Sequence, residues 1–288
     1  MSEKNQQHKS KIGGQALIEG IMMNGVKKGA MACRLPNGEI DVEIWDKKPV
    51  TAWYRKTPLI RGIFNFVISM KDGYSCLMKS AEKQMDDEET EEDEKLSDKA
   101  MNAIMGVVMV LSLVIAVGLF VFLPKWIVNF ADVLTVNRFV RSLAEGIIKI
   151  IIFIGYLAAT ALMKDVKRTY EYHGAEHKTI ACFEAGLELT VENVKKQVRF
   201  HPRCGTSFIF ITLIISILVM CLLPLMVGIS YELIRIAGRY ENIFTKILSA
   251  PGLYIQRLTT KEPDDKEIEC AIAAIKPCIP DNLEEDKW

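Results

Sequence analysis

AMNAIMGVVMVLSLVIAVGLFVFL, residues 100–123, contains no charged side chain and ends against Pro124-Lys125. At about 1.5 Å rise per residue, a helix of this length exceeds the roughly 30 Å hydrocarbon core of a bilayer. It reads as a transmembrane helix. A second apolar run, Leu143 to Met163, is interrupted by Glu145 and Lys149, which are four apart on one helical face and can pair. A third, Thr206 to Tyr231, is uncharged for 26 residues and holds Pro224 and Gly228 near its end.

Charge gives these runs an orientation. Residues 124–142 carry three basic side chains, 164–205 eight, the first 99 residues sixteen and the tail from Ile229 eight. The base-poor 124–142 loop therefore reads as external, and the N-terminal region and the 164–205 loop as cytosolic. Three full spans would leave the basic tail outside. Reading Phe208–Met220 and Leu222–Ala237 as two short helices, a re-entrant or tight hairpin broken near Cys221–Pro224, returns it to the cytosol. A kinked single span is the alternative.

The total charge hides this pattern. Thirty-six basic and 36 acidic side chains cancel, but Glu82 to Glu94 alone holds nine acids and one Lys. The rest keeps 35 basic and 27 acidic residues, and the surplus follows the membrane boundary. Anionic headgroups are its natural partner. A nucleic-acid-binding domain, with its overall basic excess, is excluded. The acidic run reads as a solvated linker. No signal peptide opens the chain, and seven scattered cysteines form no disulfide framework.

The flanks are soluble in pattern. Gly13 to Gly25 is glycine-punctuated and apolar. Arms at 30–35 and 39–46 flank Pro36-Asn37-Gly38, and the second alternates Ile40, Val42 and Ile44 with Asp41 and Glu43. This predicts a hairpin within a sheet of two to four strands. Pro58 to Lys79 predicts an amphipathic helix that lies in the interface or packs on the spans. Pro263 to Lys276 predicts a helix capped by Asp264 or Asp265, with Ile268, Ala271, Ile272 and Ile275 on one face.

The chain thus reads as an α-helical multi-pass membrane protein with three to four apolar segments and a small N-terminal antiparallel β subdomain. Its parts are a β-rich cytosolic subdomain (1–57), an amphipathic helix and acidic linker (58–99), two transmembrane helices (100–163), a cytosolic loop (164–205), an apolar hairpin or kinked span (206–237) and a cytosolic helical tail (238–288).

The cytosolic loop carries the chemistry. In Tyr172-His173-Gly174-Ala175-Glu176-His177-Lys178-Thr179, two histidines four apart share a helical face and can hold one divalent metal, zinc above others. Glu176 stands in the His-x-x-Glu-His order in which the carboxylate is the general base for a metal-activated water. His201 and Cys204, in His201-Pro202-Arg203-Cys204-Gly205, are the further candidate ligands. Two histidines with one of these leave an open, catalytic position; all four close the sphere as a structural site. Without a metal, the same side chains would bind loop backbone and headgroups.

Five motifs recur together in one family: residues 13–23, 172–179, 201–208, Ser230 to Arg235 and Ala250 to Asp265. The chain resembles the YqhQ-like bacterial integral membrane proteins across about residues 12–276. The resemblance implies a plasma-membrane protein and a metal-dependent enzyme, a label resting on the same histidines. Three functions compete: a metal-dependent hydrolase acting on a membrane-associated substrate, a non-enzymatic scaffold or assembly factor that binds a membrane-protein partner or a second copy, and a transporter. The transporter is weakest, since so few spans offer a pathway only in an oligomer.

Overall fold

The computed structural model describes residues 8–47, 52–84, 98–130, 137–218, 223–240 and 242–287. Of the acidic run, only residues 82–84 lie within them.

The N-terminal segment is a four-stranded antiparallel meander: β1 (Gly13–Leu17), β2 (Gly20–Asn24), β3 (Lys28–Arg34) and β4 (Ile40–Asp46), in spatial order of sequence. The expected hairpin joins β3 to β4, with Ala32 opposite Val42. Side-chain alternation gives the sheet two different faces. Ile21, Met23, Ala30 and Ala32 point one way, into a core with Tyr172, Ala175, Ile268, Ala271 and Ile275. Leu17, Met22, Met31 and Cys33 point the other way, toward Cys76 and Leu77.

The covering helices come from distant parts of the chain. The first face is covered by α5 (Lys164–Glu184), which the short α6 (Val191–Lys195) follows, and by α10 (Asp265–Ile275), the second by the far half of α1 (Ile60–Gln84). The predicted cap of α10 is present: Asp264 and Glu267 form a reciprocal capping box. Since α10 shares a core with the sheet and α5, the N-terminal segment, the 164–205 loop and the tail form one body. The ends also meet: Ser10 pairs with Lys287, and Lys11 donates its N–H to Asp286 O at 2.9 Å.

The rest is helical. Residues 98–130 form α2 (Asp98–Val117), a π-helical turn (Gly118–Phe122) and α3 (Leu123–Phe130). Then comes α4 (Arg138–Thr160). Gly106–Phe130 and Val140–Thr160 are long and apolar enough to cross a membrane. None of the first span's most apolar window is buried, and consecutive residues Val107 to Leu111 are all exposed. Such a helix presents no inward face.

The third apolar run is divided between α7 (Gly205–Leu218) and α8 (Leu223–Arg239), which pack on each other; of the break expected near Cys221–Pro224, residues 221–222 lie outside the described residues and Leu223 and Pro224 open α8. The near half of α1 packs on α8, with Arg61 paired to Glu232 at 2.5 Å and Phe66 stacked on Phe208. The amphipathic helix therefore bridges the bundle and the sheet.

Two details depart from the sequence reading. Glu145 pairs with Arg141 at 3.5 Å rather than with Lys149. Arg141 lies one turn nearer the helix start, where it also bonds Asn129 of α3. Lys149 is half-buried at mid-helix and has no hydrogen-bond or ion-pair partner among the described residues. In addition, the tail holds a second helix, α9 (Ile243–Thr259), which packs on α4, α7 and α8. Its Ile255 completes a core with Phe153, Leu157 and Phe210.

Candidate metal centre

Three segments meet at one end of the helical bundle. The helix α5 supplies His173, Glu176 and His177 from adjacent turns. It lies unusually close to the segment after α9, because a Cβ on Gly174 would fall 2.0 Å from Lys261 O. Only glycine allows this approach. Lys261 N–H then bonds Tyr170 O at 2.8 Å, and Thr259 O reaches the ring of His173.

Both histidine rings are fixed from behind. His173 Nδ1 lies 2.8 Å from Thr259 O, and His177 Nδ1 lies 2.7 Å from Arg199 O. A carbonyl only accepts, so each Nδ1 carries a proton, and either ring in its neutral form has its lone pair on Nε2. This is the outer support common to metal-binding histidines.

The Nε2 side faces sulphur. Cys204 precedes α7, and its Sγ lies 3.2 Å from His173 Nε2 and accepts the Thr206 N–H at 3.4 Å. One donor atom from each of His173, His177 and Cys204 lies within 4.8 Å of the others. Cys204 and His177 are 5% and 1% exposed. Burial alone would raise the Cys204 thiol, but the facing imidazoles outweigh it and hold the thiol well below its usual range. Burial would likewise disfavour charge on His173, yet Cys204 and Glu176 outweigh it and raise that ring to about 9. The cluster is thus built around a thiolate facing a cation, the electrostatics a bound metal would satisfy.

Glu176 completes the arrangement. Its Oε1 accepts the Gly14 N–H at 3.1 Å, while its Oε2 is buried without a hydrogen-bond partner among the described residues. Burial raises its pKa, and the two histidines offset part of that rise. An unsatisfied buried carboxylate oxygen is costly. Together with two imidazole nitrogens and a thiolate, it fits a divalent ion with a site for water or substrate beside it. The buried His173, His177 and Cys204 cluster can hold a metal.

His201 stands behind this set. Its ring centroid is 5.6 Å from that of His177, and its Nε2 faces Arg203 Nη2 at 3.2 Å and Glu184 Oε2 at 3.8 Å. Burial pushes His201 down to about 4 against the pull of Glu184. Glu184 also binds Arg203 and the Ser10 N–H, the latter at 2.8 Å. The main supporting groups missed by sequence reasoning are Gly14, Thr259 and Gln256. The recurring motifs mark all three, but composition and spacing give them no chemical role.

The site lies within a region that matches known sequences. A family described as "Protein of unknown function (DUF1385)" matches residues 57–281. The chain is 34% identical over 291 residues to "Uncharacterized protein YqhQ" of Bacillus subtilis (strain 168), covering 93% of this chain and 92% of that protein. No solved structure matches.

Proposed function

Because the chain belongs to the DUF1385 family, whose description names no activity, we propose from the site itself that it is a membrane-embedded, metal-dependent hydrolase. The ion is zinc, held by His173, His177 and Cys204. The observation that carries this reading is the convergence of three donors within 4.8 Å, beside a buried carboxylate with one oxygen uncommitted.

A divalent ion here supplies Lewis acidity and lowers the pKa of water. The chain supplies the rest. Glu176 Oε2 accepts the proton from the attacking water and later returns it to the leaving group. Gly14 N–H holds the other carboxylate oxygen, so the base keeps one orientation. Thr259 and Arg199 carbonyls keep both rings in the ligating tautomer.

The bundle is the membrane part. Apolar side chains project outward from α1 (Phe64, Val67, Met70), α4 (Ile147, Ile151) and α9 (Ile243, Phe244, Ile247), as well as from all sides of α2. Lipid contact accounts for this belt better than water does. The α7–α8 hairpin enters the bilayer without a full crossing, since 14 and 17 residues fall short of the about 20 a span needs. Both chain ends then lie in the cytosol of a bacterium, with the sheet. The metal centre sits at the cytosolic face, where a membrane-associated substrate can reach it.

One observation favours a second reading, a scaffold with a structural metal: the ligands tie α5 to the start of α7, and their supports come from Thr259 of α9 and from Arg199. Metal analysis of the purified chain, Glu176→Gln and His173→Ala separates these. The hydrolase requires stoichiometric metal in the wild type, retained in Glu176→Gln and lost in His173→Ala. Absence of metal from the wild type sinks both readings. Unfolding on chelation selects the structural one.

A further inference from the structure

We infer that Gln256 is a positioning residue for the Cys204 ligand, and that one turn of α9 sets the geometry of the metal centre. This rests on the metal reading above.

Gln256 is wholly buried, and its amide makes three hydrogen bonds, all to one short segment. Its Oε1 accepts the His201 N–H at 2.8 Å. Its Nε2 donates to His201 O at 2.7 Å and to Ser207 Oγ at 2.9 Å. The clamped residues lie three before and three after Cys204. The amide therefore holds both ends of the segment that presents the sulphur, although Gln256 does not touch the sulphur itself.

The same helix holds a second ligand. One turn on from Gln256, Thr259 gives its carbonyl to His173 Nδ1. Cys204 and His173 come from segments 31 residues apart, and the last turn of α9 fixes their separation. A thiolate ligand must be held within a fraction of an ångström, and the loop has no regular secondary structure from 200 to 204 to do so. Loss of an outer partner of a metal ligand commonly costs about 10–100-fold in affinity.

The test uses the full chain in detergent, loaded with Co2+. Thiolate-to-cobalt charge-transfer absorption reports Cys204 ligation, and chelator competition reports affinity. Gln256→Met keeps the side-chain length and removes all three bonds. It is expected to weaken Co2+ binding about 10–100-fold and to diminish the charge-transfer band. Ser207→Ala removes one bond and is expected to give a smaller loss in the same direction; it decides the matter if Gln256→Met does not fold. Ile255→Val, which loosens the packing of α9 without touching the clamp, should retain wild-type affinity and band. Wild-type affinity and absorption in folded Gln256→Met, or in Ser207→Ala, overturn the inference and leave the metal site standing. Equal losses in Ile255→Val overturn it too, because general loosening would then suffice. A wild type without the charge-transfer band removes the metal reading itself.

Discussion

Gly14 donates its backbone N–H to Oε1 of Glu176 at 3.1 Å, so the edge strand of the sheet anchors a carboxylate 162 residues away. Strand edges leave amides unpaired. Here the edge amide finds the carboxylate that neighbours the His173, His177 and Cys204 cluster. The link gives the glycine-rich opening of the chain a chemical reason.

Gly14→Ala is the first prediction. An added Cβ would lie 2.6 Å from Met22 O and 3.0 Å from Glu176 Cδ. The first neighbour is backbone and cannot turn aside. The substitution should destabilise by about 1–3 kcal/mol, the usual scale of overpacking, seen as a lower thermal midpoint in detergent. An unchanged midpoint would mean that the strand and helix have room to separate.

The ligand set makes the second prediction. His173→Ala and Cys204→Ala should each lose the metal. His201→Ala should keep it, since that ring faces Arg203 and Glu184. Metal content after gel filtration decides, and loss of metal from folded His201→Ala would return His201 to the ligands.

The third concerns pH. Burial pushes Glu267 up to about 7, against the pull of the Asp264 N–H. Its unfolded value is near 4.3. An acid raised on folding is protonated in the native state where the unfolded chain has already ionised. Stability is then complete below about pH 4.3, falls as pH rises to about 7, and is level above. At about 1.4 kcal/mol per unit the fall is at most about 3–4 kcal/mol. Glu267→Gln keeps a capping partner and should flatten the dependence between pH 5 and 7 (about the window above). A slope unaltered by the substitution would assign it to other groups.

The fourth concerns Lys149. An unpaired lysine at the centre of a span costs about 2.5–3.5 kcal/mol on insertion scales, less whatever its long stem recovers by reaching toward water. Lys149→Leu should raise thermal stability in lipid nanodiscs. A clear loss would mean that the ammonium meets an anionic group in the embedded assembly.

The fifth is topological. Glu284 has a 70% exposed side chain in the body that holds the sheet, whereas Cys270 and Cys278 are buried. Glu284→Cys should resist a membrane-impermeant thiol reagent in sealed cells and react after permeabilisation. Reaction in sealed cells would place the tail outside.

Much of this was legible in the sequence because it depends on near neighbours. Ile40, Val42 and Ile44 spelled a strand, Asp264 and Glu267 a capping box, and His173 and His177 a common face. What escaped depends on segments far apart. Nothing around Gln256 says that it clamps a loop 55 residues away. Spacing offered Lys149 to Glu145 as readily as Arg141, and the meeting of α3 with α4 decided between them. His201 read as a ligand because its neighbours in sequence are chemical. In the fold its ring faces Glu184, which spacing alone does not bring to it.

The shared core of sheet and C-terminal helix has a consequence for biosynthesis. The strands leave the ribosome long before Ile268, Ala271 and Ile275, which cover them. Until then, the part of that sheet face which α10 covers stays bare, even after α5 has been made. Such a chain matures only on completion, and its transient surface is the kind that chaperones hold and proteases sample. A frameshift or stop codon before residue 265 would therefore yield not a shortened protein but one marked for destruction.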